Sequence, residues 1–168
     1  AVAVVKDGEI IFTKSYGVKD VETKEKVTAD TLFNIASCSK AFTTACLGIL
    51  VQEGNLKWDD KVIDYLPWFQ LSDPWITNHL TIRDLVSHRI GLGTFDGDLL
   101  WYESDYGNEE IIRRMRYLPI RRQFRSQFGY QNNTYITAGQ IIKKISGKSW
   151  AEFVTEKILQ PLEMNTTC

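Results

Sequence analysis

Two short runs, Val2 to Val5 and Glu9 to Tyr16, flank Asp7-Gly8, a dipeptide suited to the left-handed backbone of a tight hairpin turn. The polar run Lys19 to Lys26 then predicts an exposed connection. Beyond it the pattern turns helical. Ala41 to Val51 is an almost uninterrupted apolar stretch closed by Gly54, which predicts a helix buried on most of its faces. Asp59-Asp60 offers a helix start after Trp58, and that short element stops at Tyr65-Leu66-Pro67. Thr81-Ile82-Arg83-Asp84 reads as a capping box ahead of Leu85-Val86, with Gly91 close to the helix end. Glu109 to Arg116 is helical by composition and ends before Pro119. Asn133 to Ile145 is a further helix, stopped by Ser146-Gly147. Ser149-Trp150-Ala151-Glu152 is a second capping box; it opens a last helix running towards Leu159 and ending at Pro161. The pattern predicts an α/β (α+β) chain, an N-terminal β-hairpin followed by a mostly helical region. A lone hairpin is marginal in water, so this one calls for a larger antiparallel sheet.

Composition narrows the classes. With 168 residues, 43% hydrophobic and 24% charged, the chain can bury a core as one domain. We therefore read 1–168 as a single, partial domain, with 1–18 the sheet hairpin and 30–168 the helical region. A net charge of -1 gives no overall attraction for nucleic acid or a membrane surface. No apolar segment approaches the roughly 20 residues a bilayer span needs. Ala1-Val2-Ala3-Val4-Val5 lacks the basic start of a signal peptide, and the absence of an initiator Met predicts a piece of something longer. Three scattered cysteines fit neither a disulfide framework nor a zinc site. Cys38 and Cys46 lie about 12 Å apart along one helix, too far to bond, and read as buried small hydrophobes. Cys168 carries no assignment.

The candidate chemistry starts at Ser37-Cys38-Ser39-Lys40, at the head of the apolar helix. Ser37 supplies a hydroxyl nucleophile and Lys40 an amine base one turn further on, enough for acyl transfer without histidine. A bare S-x-x-K arises about once by chance in a chain of this length. Its position at a helix N-terminus, where the macrodipole favours negative charge, raises its weight.

Further residues carry a resemblance. Thr31-Leu32-Phe33-Asn34-Ile35-Ala36-Ser37-Cys38-Ser39-Lys40-Ala41-Phe42 resembles the nucleophile segment of the serine beta-lactamase and penicillin-binding-protein superfamily, in its class C beta-lactamase and D,D-peptidase branch. Leu80 to His88 with Gly91-Leu92 resembles the helix and loop that follow. Phe128-Gly129-Tyr130-Gln131-Asn132 resembles the second motif, Tyr-x-Asn, and Pro161-Leu162-Glu163-Met164 the close of the helical region. The third motif, Lys-Thr-Gly or His-x-Gly on a late strand, has no counterpart. Lys148-Ser149-Trp150 has the wrong third residue and sits at a helix start. The chain thus reads as a fragment lacking the fold's C-terminal strands.

The resemblance implies an acyl-enzyme hydrolase acting on amide, beta-lactam or ester carbonyls. Ser37 would be the nucleophile, Lys40 and Tyr130 would share the proton transfers, and Asn132 would bind the substrate amide and hold Lys40. No metal or organic cofactor is called for. The substrate would be a small molecule or peptide, and the location periplasmic or secreted. Without the third motif's oxyanion donor, worth about 3 kcal/mol, this chain alone is expected to be acylated slowly or not at all. The alternatives are a non-catalytic binding or scaffold protein of the same fold, or a second fragment or subunit completing the sheet. Asn132 also suits a cap for the helix that follows it. His79 and His88 have no metal-ligand spacing, and the resemblance puts His88 in a structural turn. Arg113, Arg114, Arg116, Arg121, Arg122 and Arg125 read as a solvated, partly salt-bridged face. Trp101, Tyr102 and Tyr106 would hang over the cleft, where they either line an acyl pocket or simply pack.

Overall fold

The structure, a computed structural model, describes residues 1–167; Cys168 lies outside the described residues. It divides into two compact units, one of Ala1–Ala36 with the chain from Met164 onward, the other Ser37–Glu163.

The first unit holds strands β1 (Val2–Lys6) and β2 (Glu9–Lys14), paired antiparallel. Asp7 (φ 50°) and Gly8 (φ 82°) are both left-handed, which matches the hairpin's twist and places the turn where Asp-Gly predicts it. A bulge interrupts the register, since Val4 faces Phe12 while Val5 faces Ile10. Among the described residues these two strands form the whole sheet, and every residue in them is exposed. The polar connection Lys19 to Lys26 is exposed except for half-buried neighbours, and Asp20 folds it locally by accepting the Glu22 and Thr23 N–H groups.

The second unit is helical: α1 (Ser39–Gln52), α2 (Val62–Tyr65), α3 (Pro74–His79), α4 (Ile82–Leu85), α5 (Asn108–Arg114), α6 (Asn133–Ser146) and α7 (Trp150–Val154). α6 is the hub, packing on α1, α2, α4, α5 and α7. Its buried stripe runs through Thr134, Thr137, Ala138, Ile141 and Ile142. Opposite it, α1 buries Thr43, Cys46, Leu47 and Leu50, and each large apolar side chain so placed contributes about 1.5–3 kcal/mol. Trp150 ties α7 to α1 by donating its indole N–H to Thr43 Oγ1 at 3.0 Å. No described helix is long and apolar enough to cross a membrane.

Several expectations are met. The capping boxes at Thr81/Asp84 and Ser149/Glu152 form, and Gly54 and Gly147 end α1 and α6 in left-handed conformations. Others need correction. α1, which packs on α6 and α7, is buried along one stripe instead of on most faces. α4 lasts a single turn and ends at Leu85, and the turn that follows carries His88 in a left-handed conformation (φ 57°) that bars any return to helix. Gly91 therefore serves close packing, since a Cβ there would stand 2.7 Å from the Arg122 carbonyl. The last helix changes to π geometry over Thr155–Leu159. α3 goes unpredicted, although Asp73 caps it by accepting the Trp75 and Ile76 N–H groups and Pro74 occupies its first position. The arginine face is largely as expected: Arg113 pairs with Glu109, Arg114 with Glu110 and Arg121 with Asp96. Arg125 differs, reaching the fully buried carboxylate of Asp84 at 2.7 Å.

Candidate active site

Ser37 sits in a 3-10 turn, Ala36–Cys38, that leads directly into α1. Ala36 adopts φ 44°, an uncommon conformation for an L-residue with a side chain, immediately before the serine. No side chain caps α1, whose N-terminal end begins two residues after Ser37.

Ser37 Oγ is exposed and accepts two hydrogen bonds. One comes from Lys40 Nζ at 3.1 Å, the other from the Tyr130 hydroxyl at 2.5 Å. Lys40 also donates to Asn132 Oδ1 at 2.7 Å, and its ammonium lies over the Tyr130 and Tyr135 rings at 4.9 and 5.3 Å. Helix spacing explains Lys40: three residues after Ser37 it shares that face. Tyr130 and Asn132 arrive from the loop before α6. There the Tyr130 carbonyl accepts the Phe95 N–H, and the Gln131 N–H donates to His88 Nδ1 at 3.0 Å. Because Nδ1 accepts, His88 is the neutral tautomer with its proton on Nε2. Its ring stacks on Tyr130 at 4.6 Å, which fixes the phenol's plane. Burial, with the nearby Lys40 charge, lowers the His88 pKa.

The phenol of Tyr130 is itself displaced. Burial raises its pKa, but hydrogen bonding with Lys40 and Ser37, together with the Lys40 charge, outweighs burial and leaves it below the ordinary value. The four residues singled out in the sequence, Ser37, Lys40, Tyr130 and Asn132, therefore stand in one hydrogen-bonded group. The capping alternative for Asn132 is not realised, since it precedes α6 but makes no side-chain cap bond. His88 takes the turn position expected of it. His79 is exposed, bonded to the Trp75 carbonyl and stacked on that indole.

Asp98 escapes the sequence reading. Both its carboxylate oxygens accept Asn132 Nδ2, at 3.1 and 3.0 Å, and Oδ1 also accepts the Trp101 indole N–H at 3.1 Å. Gly97 (φ 82°) makes this possible: a Cβ there would collide with Leu118 at 2.7 Å and Asn133 at 2.8 Å. No short motif announces such a contact between residues 34 positions apart. Trp101, Tyr102 and Tyr106 are exposed, so they do not take the core role that packing would give them.

A protein-family model described as Beta-lactamase matches residues 1–167. The chain is 36% identical to an unguisins hydrolase of Aspergillus campestris, covering 99% of this chain and 32% of that protein. It is 30% identical to the teichoic acid D-alanine hydrolase of Staphylococcus aureus, over 99% of this chain and 40% of that one. The crystal structure of D-amino acid amidase from Ochrobactrum anthropi superposes with a TM-score of 0.79 at 28% identity, covering 96% of this chain and 44% of the amidase. The chain thus spans well under half the length of these relatives, all of them hydrolases. On the strength of a match over nearly its whole length, the chain belongs to the beta-lactamase family.

Proposed function

We propose that this chain carries the nucleophile and proton-transfer groups of a serine hydrolase that cleaves ester or amide carbonyls through an acyl-enzyme. The supporting observation is the convergence of Lys40 Nζ and the Tyr130 hydroxyl on Ser37 Oγ. Ser37 Oγ attacks the carbonyl carbon while the Ser37 proton passes into the Lys40–Tyr130 pair. Lys40 Nζ and the Tyr130 oxygen, both in contact with Ser37 Oγ, are the groups placed to take this proton, and hydrogen bonding with Lys40 and Ser37 lowers the phenol's pKa in that direction. Negative charge growing on the carbonyl oxygen is met by the Ser37 N–H and the positive end of α1. Tyr130 then returns the proton to the departing alcohol or amine. Water hydrolyses the acyl-Ser37 ester by the same route in reverse. Asn132 holds Lys40 through its carbonyl and offers its remaining N–H to the substrate.

For substrate class, the named relatives act on D-alanine of teichoic acid and on amides of D-amino acids. Esters and amides whose acyl part is a D-amino acid are accordingly the substrates to try first. The reading is tested by intact mass before and after exposure to a fluorophosphonate. One adduct per chain is expected, and none in Ser37→Ala. An unmodified wild-type chain, or an adduct that persists in Ser37→Ala, would overturn it.

A further inference from the structure

We propose that Asp98 is a positioning residue for this site: it fixes which end of the Asn132 carboxamide faces Lys40, and so holds the amine against Ser37. This rests on the reading of Ser37 as nucleophile. The two ends of an asparagine amide have nearly the same shape and opposite hydrogen-bonding character. In its ammonium form Lys40 can only donate, so it requires the Asn132 oxygen, which it meets at 2.7 Å. An ionised carboxylate can only accept, so Asp98 requires the nitrogen, which it meets at 3.0 and 3.1 Å. A flipped amide would set N–H against ammonium and oxygen against carboxylate, two repulsive contacts in place of two favourable ones. With only Lys40 to orient it, the carboxamide would be anchored at one end and free to swing. Asp98 anchors the other end.

Asp98 is itself held for this task. The Trp101 indole N–H donates to Oδ1, and Gly97 gives the backbone the left-handed bend that delivers the side chain. Among the described residues no arginine, lysine or histidine pairs with Asp98, whereas Asp84, Asp96 and Asp59 are each in an ion pair. Its charge is therefore directed to neutral donors, one of them the amide that touches Lys40. A chain of contacts runs Trp101, Asp98, Asn132, Lys40, Ser37, each link at 3.1 Å or less.

The test is a double-mutant cycle read by the rate of fluorophosphonate adduct formation, with thermal unfolding as the check that each variant folds. Asp98→Leu keeps the shape but removes the acceptor and should slow labelling by about 10²-fold, the usual effect of a displaced catalytic group. Asp98→Asn, which retains an acceptor oxygen, should recover most of that loss. In an Asn132→Ala background Asp98→Leu should cause no further loss, because its effect passes through Asn132. Independent losses that multiply would overturn the proposal. A second arm does not depend on reactivity: the two side-chain N–H resonances of Asn132, followed by NMR. They should be distinct and slow to exchange in wild type and Asp98→Asn, and collapse towards free-amide values in Asp98→Leu. Unchanged resonances in Asp98→Leu would also overturn it. If wild type forms no Ser37 adduct, the reading of Ser37 fails, and the NMR arm still decides whether Asp98 orients Asn132.

Discussion

Two hydrogen-bonded clusters in the helical unit are built from similar side chains to different ends. Around Asp84 the carboxylate is fully buried and takes the Thr81 N–H and hydroxyl, the Arg89 guanidinium and two nitrogens of Arg125. Around Ser37 the acceptor is an exposed hydroxyl oxygen with two donors, and its carboxylate, Asp98, stands one amide away. The Asp84 cluster saturates its charge. Burial alone would raise that carboxyl, and the Arg125 and Thr81 bonds outweigh burial and hold it below the usual range. The Ser37 cluster leaves an amine and a displaced phenol touching one reachable oxygen. A saturated network stabilises the fold; an open one leaves a reachable oxygen with proton-handling groups beside it.

The contrast can be broken most severely at Tyr130. Tyr130→Phe should slow Ser37 labelling by about 10²–10⁴-fold, the range for losing a general acid–base group, while the unfolding midpoint hardly moves. An equal loss of stability would show that the phenol is structural. Next in size, Asp84→Ala should destabilise by about 3 kcal/mol in denaturant titration, since it removes charged hydrogen bonds and one half of a capping box. A change under about 0.5 kcal/mol would mean the buried pair is worth no more than a surface one.

Acid sharpens the same contrast. The folded Asp84 carboxyl lies below its unfolded value of about 3.9, so the unfolded chain takes up that proton first. Its contribution is complete above the unfolded value and is lost as pH falls through the folded one. Wild type should lose more stability than Asp84→Asn between about pH 5 and the folded value, as followed by circular dichroism. The smallest effect separates the two cysteines. Cys46 is fully buried and burial pushes its thiol up to about 11, whereas Cys38, next to the nucleophile, is exposed. Iodoacetamide at about pH 8 should modify Cys38 in the native protein and spare Cys46, as peptide mapping would show. Modification of both at one rate would place Cys46 within reach of solvent.

What the sequence made legible follows from how local each signal is. Ser37 and Lys40 are one turn apart, and both capping boxes close within four residues, so spacing alone exposes them. Tyr130 and Asn132 need the fold to reach Ser37, and only their resemblance to a known motif pointed there. Asp98 had no such signal, because its partner lies on another loop and the contact depends on Gly97 and Leu118 packing. The same holds for Arg125, which looked like one more surface arginine until a buried acid 41 residues away claimed it. The α3 helix is a different case. Its Asp73-Pro74 start was in plain view, but six residues offer too little apolar period to register.

The π-helical turn at Thr155–Leu159 has a consequence for how this chain tolerates change in length. Its signature is the Gln160 N–H bonding five residues back to the Thr155 carbonyl at 2.9 Å. That widened turn accommodates one residue more than an α-helix of the same rise. A one-residue deletion inside it would heal the helix into regular α geometry instead of breaking it. Later side chains would keep their facing toward the core, whereas the same deletion in a regular α-helix would turn them by about 100°. Leu159, now buried, marks the seat that the widened turn protects.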